Sequence, residues 1–401
     1  MTRSKFLSLI SGRNVVFITV KNRDYIRVSQ IEKILKENAS EYRIYSSEKK
    51  NPVTRAIDLN MRMGAIDFSG CDVVILGFLP QLIYRSVSKK IKKLTKSGSI
   101  SEVLADDAGV IGPVIVEDFF LSLYDTVILD RKLFGKGSFV AGLLRKIDKK
   151  TLEGAELLLT DTRADADFFA EEYGVLRDKF EVLYLEADKL YSKPWIWEDN
   201  YRFYNDAKEL CESCLEETTA DRSFNILYFG TGLPLQGTDV VMLAFNQVME
   251  ANNSAYANEK AGSAIGESKV VGAGRRKELW ISCSYVGSVK KIPAGELKRA
   301  KENGIEIISW LSQEELAKKI AGADLCIAGH FNPEIDKANR TIPGKAIIYE
   351  AMGKTMILGD TVANHELFSE DERHIFVKRG DVAELAGAIN TAYEFCIDSR
   401  R

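Results

Sequence analysis

His330, Lys337, Arg340 and Lys345 fall close together in this chain and Glu350 follows them, a set of cations and one carboxylate that suits a nucleoside diphosphate. The order of the segment supplies the chemistry. The apolar run Leu325-Cys326-Ile327-Ala328 has strand length and empties into the loop that carries the bases. Pro343 fits the first turn of a helix, where its missing N–H would have no partner anyway. That turn offers free N–H groups and roughly half a positive charge, which suits a pyrophosphate, and Lys345 adds a full charge. Further along the same helix, Glu350 offers carboxylate oxygens to the two hydroxyls of a ribose. His330, beside Phe331 at the strand end, reads equally as a group of this site or as a loop histidine. Lys337 and Arg340 likewise read as charge neutralisers or as bases that solvate a surface loop.

A second candidate phosphate contact lies upstream. The strand Asn225–Phe229 breaks at Gly230-Thr231-Gly232 and Gly237 and leads into an apolar helix from Asp239 to Met249. Glycines in such a turn let the backbone approach a phosphate, although tight turns use them without any ligand. The turn carries no cation, so charge on a departing diphosphate would fall to Lys345, Arg340 or Lys337.

The Pro-x-Lys-x-x-x-x-Glu helix start at Pro343, Lys345 and Glu350 resembles the C-terminal half of family-4 glycosyltransferases, as do Ala351-Met352-Gly353-Lys354 and Gly359-Asp360. A second acid that many members carry is Ile342 here, and the cations that the wider family places near Thr231 and Gln236 are absent. A branch with Ile-Pro-x-Lys is more similar. The resemblance implies two Rossmann-like α/β domains facing across a cleft (GT-B), with Glu350 on the donor ribose and the nucleobase against Trp310 or Leu311. It implies glycosyl transfer from a UDP- or GDP-sugar to a glycan or lipid-linked acceptor, with retention, no essential metal and no cofactor beyond the nucleotide-sugar. In the first half, Val116-Glu117-Asp118-Phe119 and Thr160-Asp161-Thr162 are similar to the acceptor side of the same branch. Many members hold a first-domain histidine near the transferred sugar. This chain has 3 histidines, all in the second half, so Asp118 or a neighbouring polar group is expected to fill that space, with Asp118 as the candidate catalytic group beside Lys345 and Glu350. Helix capping is the alternative role for Asp118, Asp125 and Asp161.

These residues need two alternating strand–helix runs to position them. Asn14–Val20, Tyr42–Tyr45, Val73–Leu76, Pro113–Val116, Leu157–Leu159 and Phe180–Tyr184 read as buried parallel strands whose polar residues collect at the carboxyl ends. The reading gives an N-terminal, acceptor-binding domain over 1–195 and an inter-domain connection over 196–223, rich in aromatic residues. A C-terminal, donor-binding domain spans 224–401, with a mobile insertion at about 251–277 and a last helix that packs back on the first domain.

Composition bounds the function classes. A chain of 401 residues, 45% hydrophobic and 28% charged, can bury two cores of ordinary size. A net charge of -3 argues against general nucleic-acid affinity. No apolar run reaches the roughly 18 residues that span a bilayer, so the expected place is cytoplasmic. The 6 cysteines are scattered, and the single Cys-x-x-Cys pair, Cys211 and Cys214, has no second pair to complete a zinc site. Lys89, Lys90, Lys92, Lys93 and Lys96 alternate with Val87, Ile91 and Leu94, which reads either as a solvated helix face or as a peripheral contact with an anionic membrane. Two other classes compete: a catalytically silent GT-B subunit, and a sugar-nucleotide epimerase on the same scaffold.

Overall fold

The computed structural model describes residues 4–96, 112–192, 223–264 and 280–399, and the chain divides into two compact units, Met1–Glu186 and Ala187–Arg401. The connection expected over 196–223, and with it Cys211 and Cys214, lies outside the described residues save Ser223.

The first unit holds β1 (Asn14–Thr19), β2 (Glu41–Tyr45), β3 (Val73–Gly77), β4 (Val114–Asp118), β5 (Leu157–Thr160) and β6 (Phe180–Val182). They form a 6-stranded sheet in the order β2-β1-β3-β4-β5-β6, and every pair is parallel. Parallel strands are covered by helices on both faces, which is why β3 is apolar at successive positions: Val74 and Leu76 enter one core and Val73 and Ile75 the other. The helix Arg163–Tyr173 is capped by Thr162, whose side chain accepts from the Asp165 N–H, so the cap falls one residue after Asp161.

The second unit holds β7 (Phe224–Gly230), β8 (Ile281–Gly287), β9 (Glu306–Ile308), β10 (Leu325–Gly329), β11 (Thr355–Gly359) and β12 (His374–Val377). Their order is β12-β11-β10-β7-β8-β9, again all parallel. The helix Gln313–Ala321 opens on a capping box in which Ser312 and Glu315 satisfy each other's backbone N–H.

One sequence expectation changes here. The helix Thr238–Ala264 runs on through residues assigned to the mobile insertion. Its first turns bury Val241, Phe245 and Val248, and once nucleated a helix adds residues cheaply even without an apolar stripe. The rest of the insertion lies outside the described residues. The last helix, Val382–Ser399, buries Leu385, Ala386 and Ile389 in the core of the second unit, with the Tyr393 and Phe224 rings 5.6 Å apart.

Glu117 breaks the apolar pattern in the middle of the first sheet, opposite Leu76 on one side and Leu158 on the other. It is 0% exposed, and neither carboxylate oxygen has a hydrogen-bond partner. Burial pushes its pKa well above the ordinary value of 4.5, so the folded chain keeps this acid protonated where the unfolded chain ionises it. The folded state then binds more protons, and stability falls as pH rises above 4.5 towards the folded value. We expect Glu117→Gln to change the urea midpoint little near pH 4.5 and to raise it progressively towards pH 8, the opposite of the usual cost of a core substitution.

Candidate functional site

The strand order of the second sheet reverses between β7 and β10, and in open α/β sheets the carboxyl ends of strands at such a reversal leave a crevice for ligands. Glycine is required beside it. A Cβ on Gly230 would stand 2.6 Å from Tyr228 Oη and 2.8 Å from Gln236 Oε1, and one on Gly237, at φ +62°, would stand 2.8 Å from the Asn332 nitrogen. Gln236 joins the two strand ends. Its Oε1 accepts from the Gly232 N–H at 3.0 Å and the Tyr228 hydroxyl at 3.4 Å, while its carbonyl accepts from the Phe331 N–H at 3.3 Å.

Lys345 enters from the helix Gly344–Ala351, whose N-terminus, at Pro343, has no side-chain cap. The residue is 5% exposed and its Nζ has no hydrogen-bond partner. Nζ lies 3.8 Å from the centroid of the Tyr228 ring, and a Cβ built on Gly329 would come within 3.9 Å of it. The ring face favours an ammonium, but burial dominates and pushes the pKa well below its ordinary value.

Other bases gather around the same strand ends. The buried His330 is held down to about 3 by burial first, then by the charges of Lys345, Lys337 and Arg379, so the imidazole is neutral at physiological pH. Its Nδ1 lies 3.4 Å from Thr341 Oγ1. Lys337 and Arg340 are buried, not solvated loop bases, and Arg340 Nε donates to Asp336 Oδ2 at 2.8 Å. Arg379 is not among the residues that the sequence singled out. Its guanidinium donates to the Asn332 and Ile335 carbonyls at 3.2 and 3.4 Å, and its place just beyond the apolar strand β12 was the signal that could have found it. Uncapped N–H groups, a buried amine without a partner and further bases make a site for an anion, whose oxygens would supply what Lys345 lacks.

No family model and no curated protein sequence matches the chain. Solved structures are similar in fold. Sucrose-phosphate synthase from Thermosynechococcus elongatus matches with a TM-score of 0.57 at 10% identity, covering 97% of this chain and 90% of that one. HepE from Anabaena, in complex with UDP, matches at 0.53 and 11% identity, over 96% and 90%. A UDP-forming trehalose-phosphate synthase from Burkholderia xenovorans matches at 0.53 and 9%, over 97% and 92%. The chain has the GT-B fold.

Within this GT-B chain the expected site residues do not all converge. Gly230, Thr231, Gly232, Gly237, His330, Lys337, Arg340 and Lys345 lie on the segments that leave β7 and β10. Phe331 does so by its backbone, but its side chain is 0% exposed and belongs to the core. Trp310 is 74% exposed and follows β9, two strand spacings or about 10 Å from β7 along the sheet. Glu350 is the main correction. Its carboxylate accepts from His374 Nε2 at 2.8 Å and from Arg373 at 3.0 Å. His374 opens β12 opposite Met356 near the start of β11, so Glu350 sits at the amino edge of the parallel sheet and Lys345 at the carboxyl edge. Five residues of helix separate the two by about 7.5 Å of rise and turn them to different faces.

In the first unit, Asp118 ends β4 in a buried ion pair: Arg27 Nε donates to its Oδ1 at 2.9 Å, and Arg27 also donates to the Leu183 carbonyl. Oδ2 has no hydrogen-bond partner. Nearby carboxyl ends carry Tyr25 and Phe78 in edge contact at 5.3 Å, with Lys21 Nζ 4.7 Å and 5.1 Å from their ring centroids. Phe78 and Leu79 both hold left-handed backbone, at φ 44° and 61°, a conformation that non-glycine residues adopt at a cost and that clusters at binding sites. Removing one partner of a buried pair strands the other charge. We expect Asp118→Ala to lower stability by about 3–5 kcal/mol, read from urea unfolding at neutral pH.

Proposed function

We propose that this chain is a glycosyltransferase that takes a nucleoside diphosphate sugar as donor and transfers the sugar, with retention and without an essential divalent metal, to a glycan or lipid-linked acceptor. The observation that carries the reading is Lys345, buried without a partner at the head of a helix and at the reversal point of the second sheet. The similarity in fold to HepE, whose structure holds UDP, supports the same class of ligand. In this reading the diphosphate lies along the Gly230–Gly232 turn and the head of the Lys345 helix, and the acceptor meets the Tyr25, Phe78 and Lys21 surface of the first unit. The bond between the anomeric carbon and the diphosphate oxygen breaks as the bond to the acceptor oxygen forms, and the acceptor proton leaves with the diphosphate. Lys345 and the helix N–H groups meet the charge that develops there. Asp118, buried at the end of β4, is the acid that we assign to the acceptor side, acting through Oδ2.

A second reading, a GT-B protein that binds the nucleotide without turnover, draws support from Glu350, whose carboxylate is engaged by His374 and Arg373 and is absent from the Lys345 site.

Calorimetric titration with UDP, GDP and their sugar conjugates tests the donor site. We expect one nucleotide to bind saturably, Lys345→Ala to weaken it about 10- to 100-fold, the scale of a charge-assisted contact, and Glu350→Ala to leave it within about twofold while lowering thermal stability. No binding by any of them would sink the reading, and binding without glycosyl transfer across an acceptor panel would select the silent protein. The pH dependence has a definite sign. Lys345, depressed by burial when free, gains a proton against a diphosphate, so affinity falls as pH rises by up to about tenfold per unit while the free amine is neutral. Titrations at pH 8.5 in buffers of different ionisation enthalpy should show proton uptake on binding.

A further inference from the structure

The segment 131–150 of the first unit carries apolar side chains that the fold leaves in water. Leu133 is 61% exposed, Phe134 47%, Phe139 86% and Leu143 46%. The backbone around them is held. The Leu133 N–H donates to the Val127 carbonyl at 3.0 Å, the Ser138 N–H donates to the Gly135 carbonyl at 3.0 Å, and Ser138 Oγ caps the helix Phe139–Glu153. Lys132 adopts a left-handed φ of 51° just before Leu133. On the helix, Phe139 and Leu143 stand one turn apart, and Lys146 and Lys150 continue the same stripe. Ala141, Asp148, Thr151 and Leu152 take the buried side.

Charge on the segment has one sign. Its only acid is Asp148, which is buried and accepts from Gln81, Ser122 and the Leu123 and Tyr124 N–H groups. Arg145 pairs with Glu172 and Lys149 with Glu153, which leaves Arg131, Lys132, Lys136, Lys146 and Lys150 facing solvent with no carboxylate partner among the described residues. Aromatic and leucine side chains ringed by unpaired lysines suit the boundary between acyl chains and anionic headgroups. The other basic helix, Tyr84–Lys96, lacks an apolar anchor: Val87 and Ile91 are buried in the core, and Lys90 Nζ donates to the Met63, Gly64 and Ile66 carbonyls.

The geometry points to a lipid-docking face. The loop 131–138 and the first turns of the following helix seat on an anionic bilayer, with Leu133, Phe134, Phe139 and Leu143 entering the headgroup boundary and Lys132, Lys136, Lys146 and Lys150 meeting lipid phosphates. This moves the membrane contact from the Lys89–Lys96 helix to a different surface, and it does not depend on the donor reading.

Co-sedimentation of the full chain with vesicles tests it, using phosphatidylcholine alone and phosphatidylcholine doped with phosphatidylglycerol. We expect binding to the anionic vesicles, and a loss of about tenfold or more both in Phe134→Ser/Phe139→Ser and in Lys146→Glu/Lys150→Glu. Lys92→Glu/Lys93→Glu, on the other basic helix, should stay within about twofold. In Phe139→Trp the added fluorescence should shift to the blue with anionic vesicles. Failure to bind either vesicle, or binding lost only with the Lys92 and Lys93 variants, would overturn the proposal. So would a dimer in sedimentation velocity that the phenylalanine variants dissolve while vesicles have no effect, since the face would then cover a second copy. The assay uses no nucleotide, so its failure and that of the donor reading are distinguishable.

Discussion

Parallel strand pairing is the constraint from which the geometry around Lys345 follows. When every strand of a sheet points the same way, every carboxyl end lies at one edge, and each connecting helix must begin near that edge and finish near the other. Gly230, Gly329 and Gly359 therefore end neighbouring strands together, with the head of the Lys345 helix beside them. The same rule takes Glu350 away. One helix cannot present both its second residue and its last turn to the same edge, so the carboxylate meets His374 and Arg373 at the far side.

Three buried ionisable arrangements show how position decides what a charge costs. Asp118 and Arg27 are buried together, and each supplies the other's counter-charge at about the distance of an ordinary hydrogen bond. Glu117, on an inner strand between Leu76 and Leu158, has no such partner and stays protonated. Lys345 has no partner either, yet it sits at a strand edge beside uncapped N–H groups, where an anion can approach. An unpartnered acid in mid-sheet is a pH-dependent weakness of the fold. An unpartnered base at the reversal point of a sheet is what an anion site is made of.

Much of this was legible along the chain because it depends on near neighbours. The strands, the glycine turn after β7, the helix start at Pro343 and the capped start at Ser312 all follow from local pattern. Errors arose where a residue's role is set by something distant. The helix continuing to Ala264 is held by the core that its first half enters, so its polar second half carried no signal of its own. Phe331 reads as a site residue beside His330, but the loop that leaves β10 turns its ring into the core. Arg379 lies far from the other bases in sequence and reaches them only because β12 joins the sheet beside β11.

The sequence by itself determined the alternation of strands and helices, the two-unit α/β architecture, and the identity of Lys345 as the base at a helix head. Each of these is encoded in side-chain type and spacing over a turn or a strand. Only the tertiary structure decided that Gln236 fastens the glycine turn, that Lys345 is desolvated without a counter-charge, that Asp118 is tied to Arg27, and that Glu350 belongs to the opposite edge. The physical reason is that burial and counter-charge are properties of the space around a group, and that space is assembled from strands far apart in the chain.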